Sequence, residues 1–173
     1  AVDITEEVLL GYGLFKVKPD LEIMLVSGKL SEKTNLDDLV KATAIGLGFT
    51  EVLNPMLVSE SALKQILGED IKPITVEFSK SSEHNALRTS VFPGCILVIA
   101  LNQNEPMPRK IFEIGEVVNL KENNVLQEKK LCLLEEKDGI SLTEIKSYFE
   151  AFIKILGLEF GKIAFIKANK YYA

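Results

Sequence analysis

The chain has 173 residues, of which 47% are hydrophobic and 26% charged, and its formal net charge is −5. This length allows one main domain with a substantial buried core, and the composition is that of an ordinary soluble globular protein. The negative charge argues against a broad cationic surface that follows a phosphate backbone. The longest apolar run, Phe92 to Leu101, is about half of the ~20 residues that a membrane span requires. Because no secretory signal is visible either, we expect no membrane association and a cytoplasmic location.

The first dozen residues predict a short acidic helix that ends at Gly11 and Gly13. Asp3, Glu6 and Glu7 stand at i, i+3 and i+4, so their carboxylates share one helix face. On spacing alone this is a solvated helix start, where acidic side chains complement the helix dipole. Pro19 suggests a domain boundary, which gives the segments 1–18 and 19–173.

After a connector, apolar residues recur at helical spacing from Leu36 to Leu47, with Ser31 or Asn35 as the N-cap. A strand is predicted from Phe49 to Asn54. A short helix with Ser59 as its cap follows over residues 60–67, and a further strand over residues 74–78. The only histidine, His84, lies in a polar loop without a nearby His or Cys, and we interpret it as a surface residue.

The stretch from Leu87 to Val118 predicts a strand, a helix, a loop with two prolines and a second strand. Leu87, Thr89 and Val91 alternate with polar residues, as in a half-buried strand. The helix that starts near Pro93 is apolar on every face and is therefore expected to be fully enclosed. Gly115, in the second strand, indicates a bulge or a close approach of another group.

The remaining pattern predicts a hairpin and a helix. The hairpin strands are expected at residues 111–120 and 129–134, joined by a slack loop around Asn124. Ser141 and Glu144 form a capping box that starts a helix over residues 142–156. A last strand is predicted at 162–166. The two cysteines, Cys95 and Cys132, lie in apolar runs without a CxxC pair and are expected to be buried, reduced thiols.

The central stretch closely resembles the catalytic-like module of the phenylalanyl-tRNA synthetase β subunit. The residues that carry this resemblance are LRTS, a Pro-Gly helix start and IFEIGEVV. The helix TEIKSYFEAFIKILGL is similar to that of the archaeal and eukaryotic type. The resemblance covers nearly the whole chain and implies the class II synthetase fold, an α/β (α+β) arrangement in which helices flank an antiparallel sheet. It makes residues 19–173 the module and residues 1–18 the tail of a preceding metal-binding domain.

The resemblance also implies sites and partners. DITEEVLLGYG matches a segment whose carboxylates hold magnesium, so Asp3, Glu6 and Glu7 are predicted to form part of a magnesium site in the full-length protein. Gly48, Phe49, Val52 and Pro55 reproduce the motif 1 pattern G-F-x-x-V-x-x-P, which joins class II modules. The following residues are therefore predicted to contact the catalytic α subunit: Ala42, Ile45, Phe49, Val52 and Pro55. The assembly implied is a heterotetramer of two α and two β subunits that binds tRNA(Phe).

Class II enzymes hold the ATP α-phosphate with an arginine on the motif 2 strand, and by resemblance Glu113 stands at that position. A carboxylate there has the wrong charge sign for catalysis, since it repels a phosphate oxygen. Arg109 or Lys110 could substitute, but Pro106 and Pro108 are expected to place them in a loop. The prediction is a non-catalytic module, inactive alone, of the ATP-dependent enzyme phenylalanine–tRNA ligase. The alternative is a free-standing ATP-dependent ligase or adenylating enzyme of the same fold.

Overall fold

The computed structural model describes residues 1–18, 27–122 and 124–158, and the chain divides into two compact units, Ala1–Leu30 and Ser31–Ala173. The first unit contains helix α1 (Val2–Tyr12) and one 3-10 turn (Leu14–Lys16). Gly11 lies inside α1, and Gly13, at φ 100°, ends the helix. The boundary predicted after residue 18 falls within this unit.

Four further helices and five strands make up the described part of the second unit. The helices are α2 (Glu32–Gly46), α3 (Glu60–Leu67), α4 (Phe92–Leu101) and α5 (Leu142–Ile155). The strands are β1 (Thr50–Glu51), β2 (Leu57–Val58), β3 (Ala86–Leu87), β4 (Arg109–Lys121) and β5 (Asn124–Glu136).

The principal sheet has the strand order β1-β4-β5, and β2 pairs with β3 in a separate antiparallel ribbon. Strands β4 and β5 are antiparallel and paired without interruption from Arg109, opposite Glu136, to Lys121, opposite Asn124. Strand β1 runs parallel to β4, with Thr50 opposite Ile111. The predicted antiparallel sheet is confirmed for the long hairpin, and the parallel strand β1 makes the whole sheet mixed.

Alternate residues of β4 face two different helical layers. Phe112 forms a buried cluster with Ala44 of α2, Phe49 and Phe152 of α5. The ring of Phe49 also meets Tyr148 edge-on, with 5.2 Å between ring centroids. Because side chains alternate along a strand, the neighbouring Glu113 points to the opposite face. Helix α4 covers that face, since its Cys95 reaches Glu113.

Three helix starts that were predicted from capping residues are confirmed by the structure. The side chain of Ser31 accepts a hydrogen bond from the backbone N–H of Thr34 at 3.1 Å, so Ser31 and not Asn35 caps α2. Ser59 caps α3 in the same way. Ser141 and Glu144 form the predicted capping box at the start of α5. These caps satisfy backbone donors that a helix cannot pair internally.

Several strand predictions were too long or too short. The strand expected from Leu87 to Val91 is only Ala86–Leu87, and the one expected at 74–78 is a single bridge from Thr75 to Ala86. The strand expected from Phe49 is Thr50–Glu51. The prediction of a slack hairpin loop was wrong, because β5 begins at Asn124, which pairs directly with Lys121 of β4.

The expected enclosure of α4 was also wrong. Pro93 and Cys95 are buried, but Leu97 is 46% exposed and Leu101 is 84% exposed. An apolar sequence therefore leaves one side of this helix uncovered. Among the described residues, no helix has the length and apolar character needed to cross a bilayer. The predicted strand at 162–166 lies outside the described residues.

Candidate functional site

A buried ion pair lies on the face of the sheet that α4 covers. Arg88, just after β3, places Nη1 2.5 Å from Oε1 of Glu113 on β4. The two side chains are only 7% and 1% exposed. Two charges removed from water at this depth are stable only when they pair and when further hydrogen bonds satisfy their remaining atoms.

Asn54 provides much of that further bonding. Its Nδ2 donates to Oε2 of Glu113 at 2.7 Å, and its backbone N–H donates to Oε1 at 3.4 Å. The carbonyl of Asn54 in turn accepts from Nη1 of Arg88 at 3.2 Å. Arg88 Nε donates to the carbonyl of Glu116 at 2.9 Å. Both carboxylate oxygens and two guanidinium nitrogens are thus engaged within the protein.

Two glycines make room for this network. An added Cβ at Gly115 would lie 2.0 Å from Nη2 of Arg88, and one at Gly94 would lie 2.9 Å from Cγ of Asn54. Gly115 pairs with Lys130 in an unbroken register, so the bulge interpretation was wrong and the close-approach interpretation is confirmed. Only glycine lets the strand and α4 come this near to the polar side chains.

Both cysteines border the same carboxylate. The Sγ of Cys95 lies 4.0 Å from Oε2 of Glu113, and Cys132 is the direct cross-strand partner of Glu113. A hydrogen bond with Cys132, together with burial, raises the pKa of Cys95, whereas the same hydrogen bond lowers the pKa of Cys132. Both thiols are free; Cys95 is buried, as expected, whereas Cys132 is only half-buried.

Arg109 and Lys110 are the first two residues of β4, so the prediction that they lie in a loop was wrong. Arg109 donates from Nε to Glu136 at 2.6 Å and from Nη1 to two loop carbonyls. Lys110 lies 2.6 Å from the hydroxyl of Tyr148 and 3.4 Å from Glu135. The hydrogen bond with Tyr148 raises the pKa of Lys110 above its usual value. Both cations are therefore already paired within the described structure.

The residues predicted to contact a partner subunit differ in exposure. Ala42 and Ile45 are exposed on α2, with Ile45 58% exposed, and Pro55 is exposed as well. Val52 is half-buried, and its backbone N–H donates to the carbonyl of Phe112. Phe49 is 4% exposed and fills the core between α2 and α5, so its side chain is not available to a partner.

An apolar groove of about 690 Å³ adjoins the network. Leu57, Leu63, Leu97 and Pro55 are among its lining residues, and Asn54 and Gly94 lie at its edge. His84 also lines the groove; it is exposed, as expected, and its Nδ1 lies 3.1 Å from the carbonyl of Leu57. The groove thus brings Pro55 together with the uncovered side of α4.

The three carboxylates assigned to magnesium, Asp3, Glu6 and Glu7, are all exposed on α1. Within residues 1–18, 27–122 and 124–158, no group of three or more His, Cys, Asp or Glu side chains could hold a metal ion. These carboxylates therefore do not make a site by themselves, and magnesium stays a prediction.

Sequence reasoning missed Arg88, Asn54 and Gly94. Alternation in the LRTS stretch suggested a solvent-facing Arg88, and nothing local links Asn54 to Glu113, 59 residues away. The available signal was the pair of glycines, Gly94 and Gly115, in otherwise apolar segments. Small residues at such positions indicate that another group approaches the backbone.

The fold is that of the class II aminoacyl-tRNA synthetases. Two solved structures of the pyrrolysyl tRNA synthetase of Desulfitobacterium hafniense superpose on the chain with TM-scores of 0.61. They cover 74% of this chain and 46% and 48% of theirs, at 18% and 19% sequence identity.

The sequence defines the family within this fold. A family model described as the phenylalanyl tRNA synthetase beta chain CLM domain matches residues 20–171. The chain is 32% identical over 163 residues to the phenylalanine–tRNA ligase beta subunit of Methanocaldococcus jannaschii, covering 92% of this chain and 30% of that protein. The corresponding protein of Archaeoglobus fulgidus is 30% identical over 160 residues, covering 90% and 28%. The chain belongs to the family of phenylalanyl-tRNA synthetase beta chain CLM domains, and it spans less than a third of the length of these relatives.

Proposed function

We propose that the chain is a non-catalytic module of the β subunit of phenylalanine–tRNA ligase. In this role it supports assembly with the catalytic α subunit, and through it the aminoacylation of tRNA(Phe). The observation that carries the proposal is the buried pair of Arg88 and Glu113, which supports a structural use of the sheet face where a catalytic arginine would be needed.

The electrostatics of this pair oppose ATP binding. A catalytic site must direct uncompensated positive charge or hydrogen-bond donors at the phosphate on which charge develops. The guanidinium of Arg88 instead donates to Glu113 and to the carbonyls of Asn54 and Glu116. Glu113 adds a carboxylate at the centre of the face. An incoming phosphate would have to displace a bonded carboxylate and would gain no free cation there.

The paired states of Arg109 and Lys110 support the same conclusion. Either cation would have to give up an acidic partner, Glu136 or Glu135, before it could contact a phosphate. Lys110 would also lose its hydrogen bond with Tyr148. Charged partners held within the protein stabilise the fold only while both members remain paired, so releasing one is costly.

In the complete enzyme we place this module in a cytoplasmic heterotetramer of two α and two β subunits. The outward side of α2, with Ala42 and Ile45, supports a role in contact with the α subunit because it carries exposed apolar side chains. Magnesium, held in part by Asp3, Glu6 and Glu7, would require further ligands from the longer protein, because the described residues offer no cluster of three.

Two measurements test the proposal. The purified chain should give no phenylalanine-dependent exchange of pyrophosphate into ATP, while the complete α and β enzyme, assayed in parallel, should do so. A tagged chain co-expressed with the α subunit should retain that subunit through purification. Exchange by the chain alone would favour a free-standing adenylating enzyme, and loss of the α subunit would remove the assembly role.

A further inference from the structure

We propose that Cys95 and Cys132 form a dithiol site that a small-molecule disulfide converts into an intramolecular disulfide bond between α4 and β5. The inference is independent of the proposed function, because it depends only on the surroundings of two side chains.

The backbone register brings the two thiols to one place. Cys132 is directly opposite Glu113 in the antiparallel ladder, so both side chains point to the same face of the sheet. Cβ atoms of such partners are about 4.5–5.5 Å apart. Cys95 approaches from α4 above that face, with Sγ 4.0 Å from the Glu113 carboxylate. Strand pairing and helix packing thus bring both thiols to Glu113.

The two thiols also differ in acidity: their interaction raises the pKa of Cys95 and lowers the pKa of Cys132. Cys132 is half-buried, whereas Cys95 is 0% exposed. The more acidic and more accessible thiol is the one that attacks an external disulfide first, since the thiolate is the reacting species. Cys132 therefore reacts first, and Cys95 resolves the product.

The Glu113 carboxylate is hydrogen-bonded to other residues, so it does not combine with the two thiols into a metal site. Its oxygens are bonded to Arg88 and Asn54. Within the described ranges, no third acidic, His or Cys ligand joins the two thiols in a metal-binding group. Oxidation to a disulfide needs only the two sulfur atoms and an external acceptor of electrons.

The reaction is two successive exchanges with a disulfide of the form RSSR. The Cys132 thiolate attacks one sulfur, the RS–SR bond breaks, and a mixed disulfide forms as RS⁻ leaves and takes up a proton. The Cys95 thiolate then attacks Sγ of Cys132 and releases the second RS⁻, which takes up the other proton. Two protein thiols are oxidised by two electrons, and RSSR is reduced to two RSH.

The test is incubation of the reduced, folded chain with oxidised glutathione, followed by thiol alkylation and intact-mass measurement. The product should be lighter by two hydrogen atoms and should contain no alkylated cysteine. Peptide mapping should find Cys95 linked to Cys132, since the chain has only these two cysteines. Its melting temperature should exceed that of the reduced chain by several degrees, because the bond closes a loop of more than thirty residues in the unfolded state.

Single variants assign the order of reaction. Cys95→Ala should accumulate a stable glutathione adduct at Cys132, at least about tenfold faster than Cys132→Ser acquires one at the buried Cys95. Circular dichroism of both variants checks that they fold. The proposal is overturned if the folded chain stays reduced while urea-unfolded chain oxidises. It is also overturned if both cysteines retain glutathione instead of forming the intramolecular disulfide.

Discussion

The guanidinium of Arg88 lies directly against the backbone of Gly115, so close that a Cβ at this glycine would be 2.0 Å from Nη2. Cγ1 of Val91 occupies the other side, 2.9 Å from the same point. The hydrogen-bond ladder of β4 passes through Gly115 without a bulge, so the absence of a side chain is what admits the arginine. The buried ion pair of Arg88 and Glu113 therefore depends on a glycine at position 115 of β4.

We expect Gly115→Ala to destabilise the fold by about 1–3 kcal/mol, the usual cost of forcing extra volume into a packed interior. The new methyl group must displace either Arg88 or β4. Urea unfolding gives the free energy. Gly46→Ala is the matched control, because a Cβ there meets no atom within 4 Å, and alanine favours the end of α2 by up to about 1 kcal/mol. Equal free energies of unfolding for both variants would contradict the close contact.

The ion pair itself can be tested by a double-mutant cycle. Glu113→Gln keeps the shape of the side chain but leaves the Arg88 guanidinium buried without a counter-charge, which should cost about 3–5 kcal/mol. Arg88→Met should cost a similar amount, because it leaves the carboxylate unpaired. Combined, the two changes should cost less than their sum by about 1–3 kcal/mol. Additive losses in chemical denaturation would mean that the two charges do not stabilise each other.

The helix boundaries were predictable because their causes are local. Ser31, Ser59 and Ser141 each hydrogen-bond to a backbone N–H three residues further on, and such a signal is complete within one turn. In α5, Phe152 lies in the core and Tyr148, one turn earlier, packs against it, so the buried side of this helix follows from its own sequence spacing.

The site was less predictable because its contacts are long-range. Arg88 and Glu113 are 25 residues apart, and Asn54 comes from a third segment. Residues 88–91 alternate like a strand, yet the chain leaves the ribbon after Leu87 so that Arg88 can turn inward. The uncovered side of α4, which includes Leu101, could not be predicted for the same reason. An apolar helix sequence does not show whether another element of the chain packs against each of its sides.

The start of α5 predicts a specific dependence of stability on pH. Hydrogen bonds with Lys137 and then with Ser141 lower the pKa of Glu144 from its ordinary value of 4.5. The folded chain thus binds this proton less tightly than the unfolded chain. The stabilisation is present above pH 4.5 and is lost as pH falls through the lower, folded-state pKa.

Glu144→Gln keeps the capping geometry and removes the charge. Its melting temperature should therefore fall below that of the parent chain near neutral pH, and the difference should shrink as the pH drops below 4.5. Lys137→Met serves as the control, since without this partner the Glu144→Gln change should have little effect. A difference that stays constant with pH would show that the charge of Glu144 is not involved.

The acidic face of α1 predicts weak magnesium binding. Asp3, Glu6 and Glu7 are exposed, and no described residue completes a three-ligand group with them. Magnesium usually keeps several waters and binds through only a few carboxylates, so a partial set gives little affinity. Isothermal titration of the chain should detect no micromolar binding. A micromolar dissociation constant that disappears in Asp3→Asn would show that these residues suffice.

The last prediction concerns the outward side of α2, where Ala42 and Ile45 are exposed, whereas Ala44 between them in the sequence is buried in the core. Leu53, which follows β1, is 80% exposed as well. Interfaces of obligate complexes are typically large and rich in apolar contacts, and a buried unpaired charge at such an interface is costly.

Ala42→Glu and Ile45→Glu should therefore abolish co-purification with the α subunit. The melting temperature of the chain should stay within a few degrees, since neither side chain belongs to the core. Gln65→Glu adds the same charge at an exposed position of α3 and should leave assembly intact, which separates a local effect from the change in net charge. If the α2 variants assemble as well as Gln65→Glu, α2 is not the contact surface. The contact would then have to involve another exposed apolar surface, of which the groove beside Pro55 and Leu97 is the principal candidate.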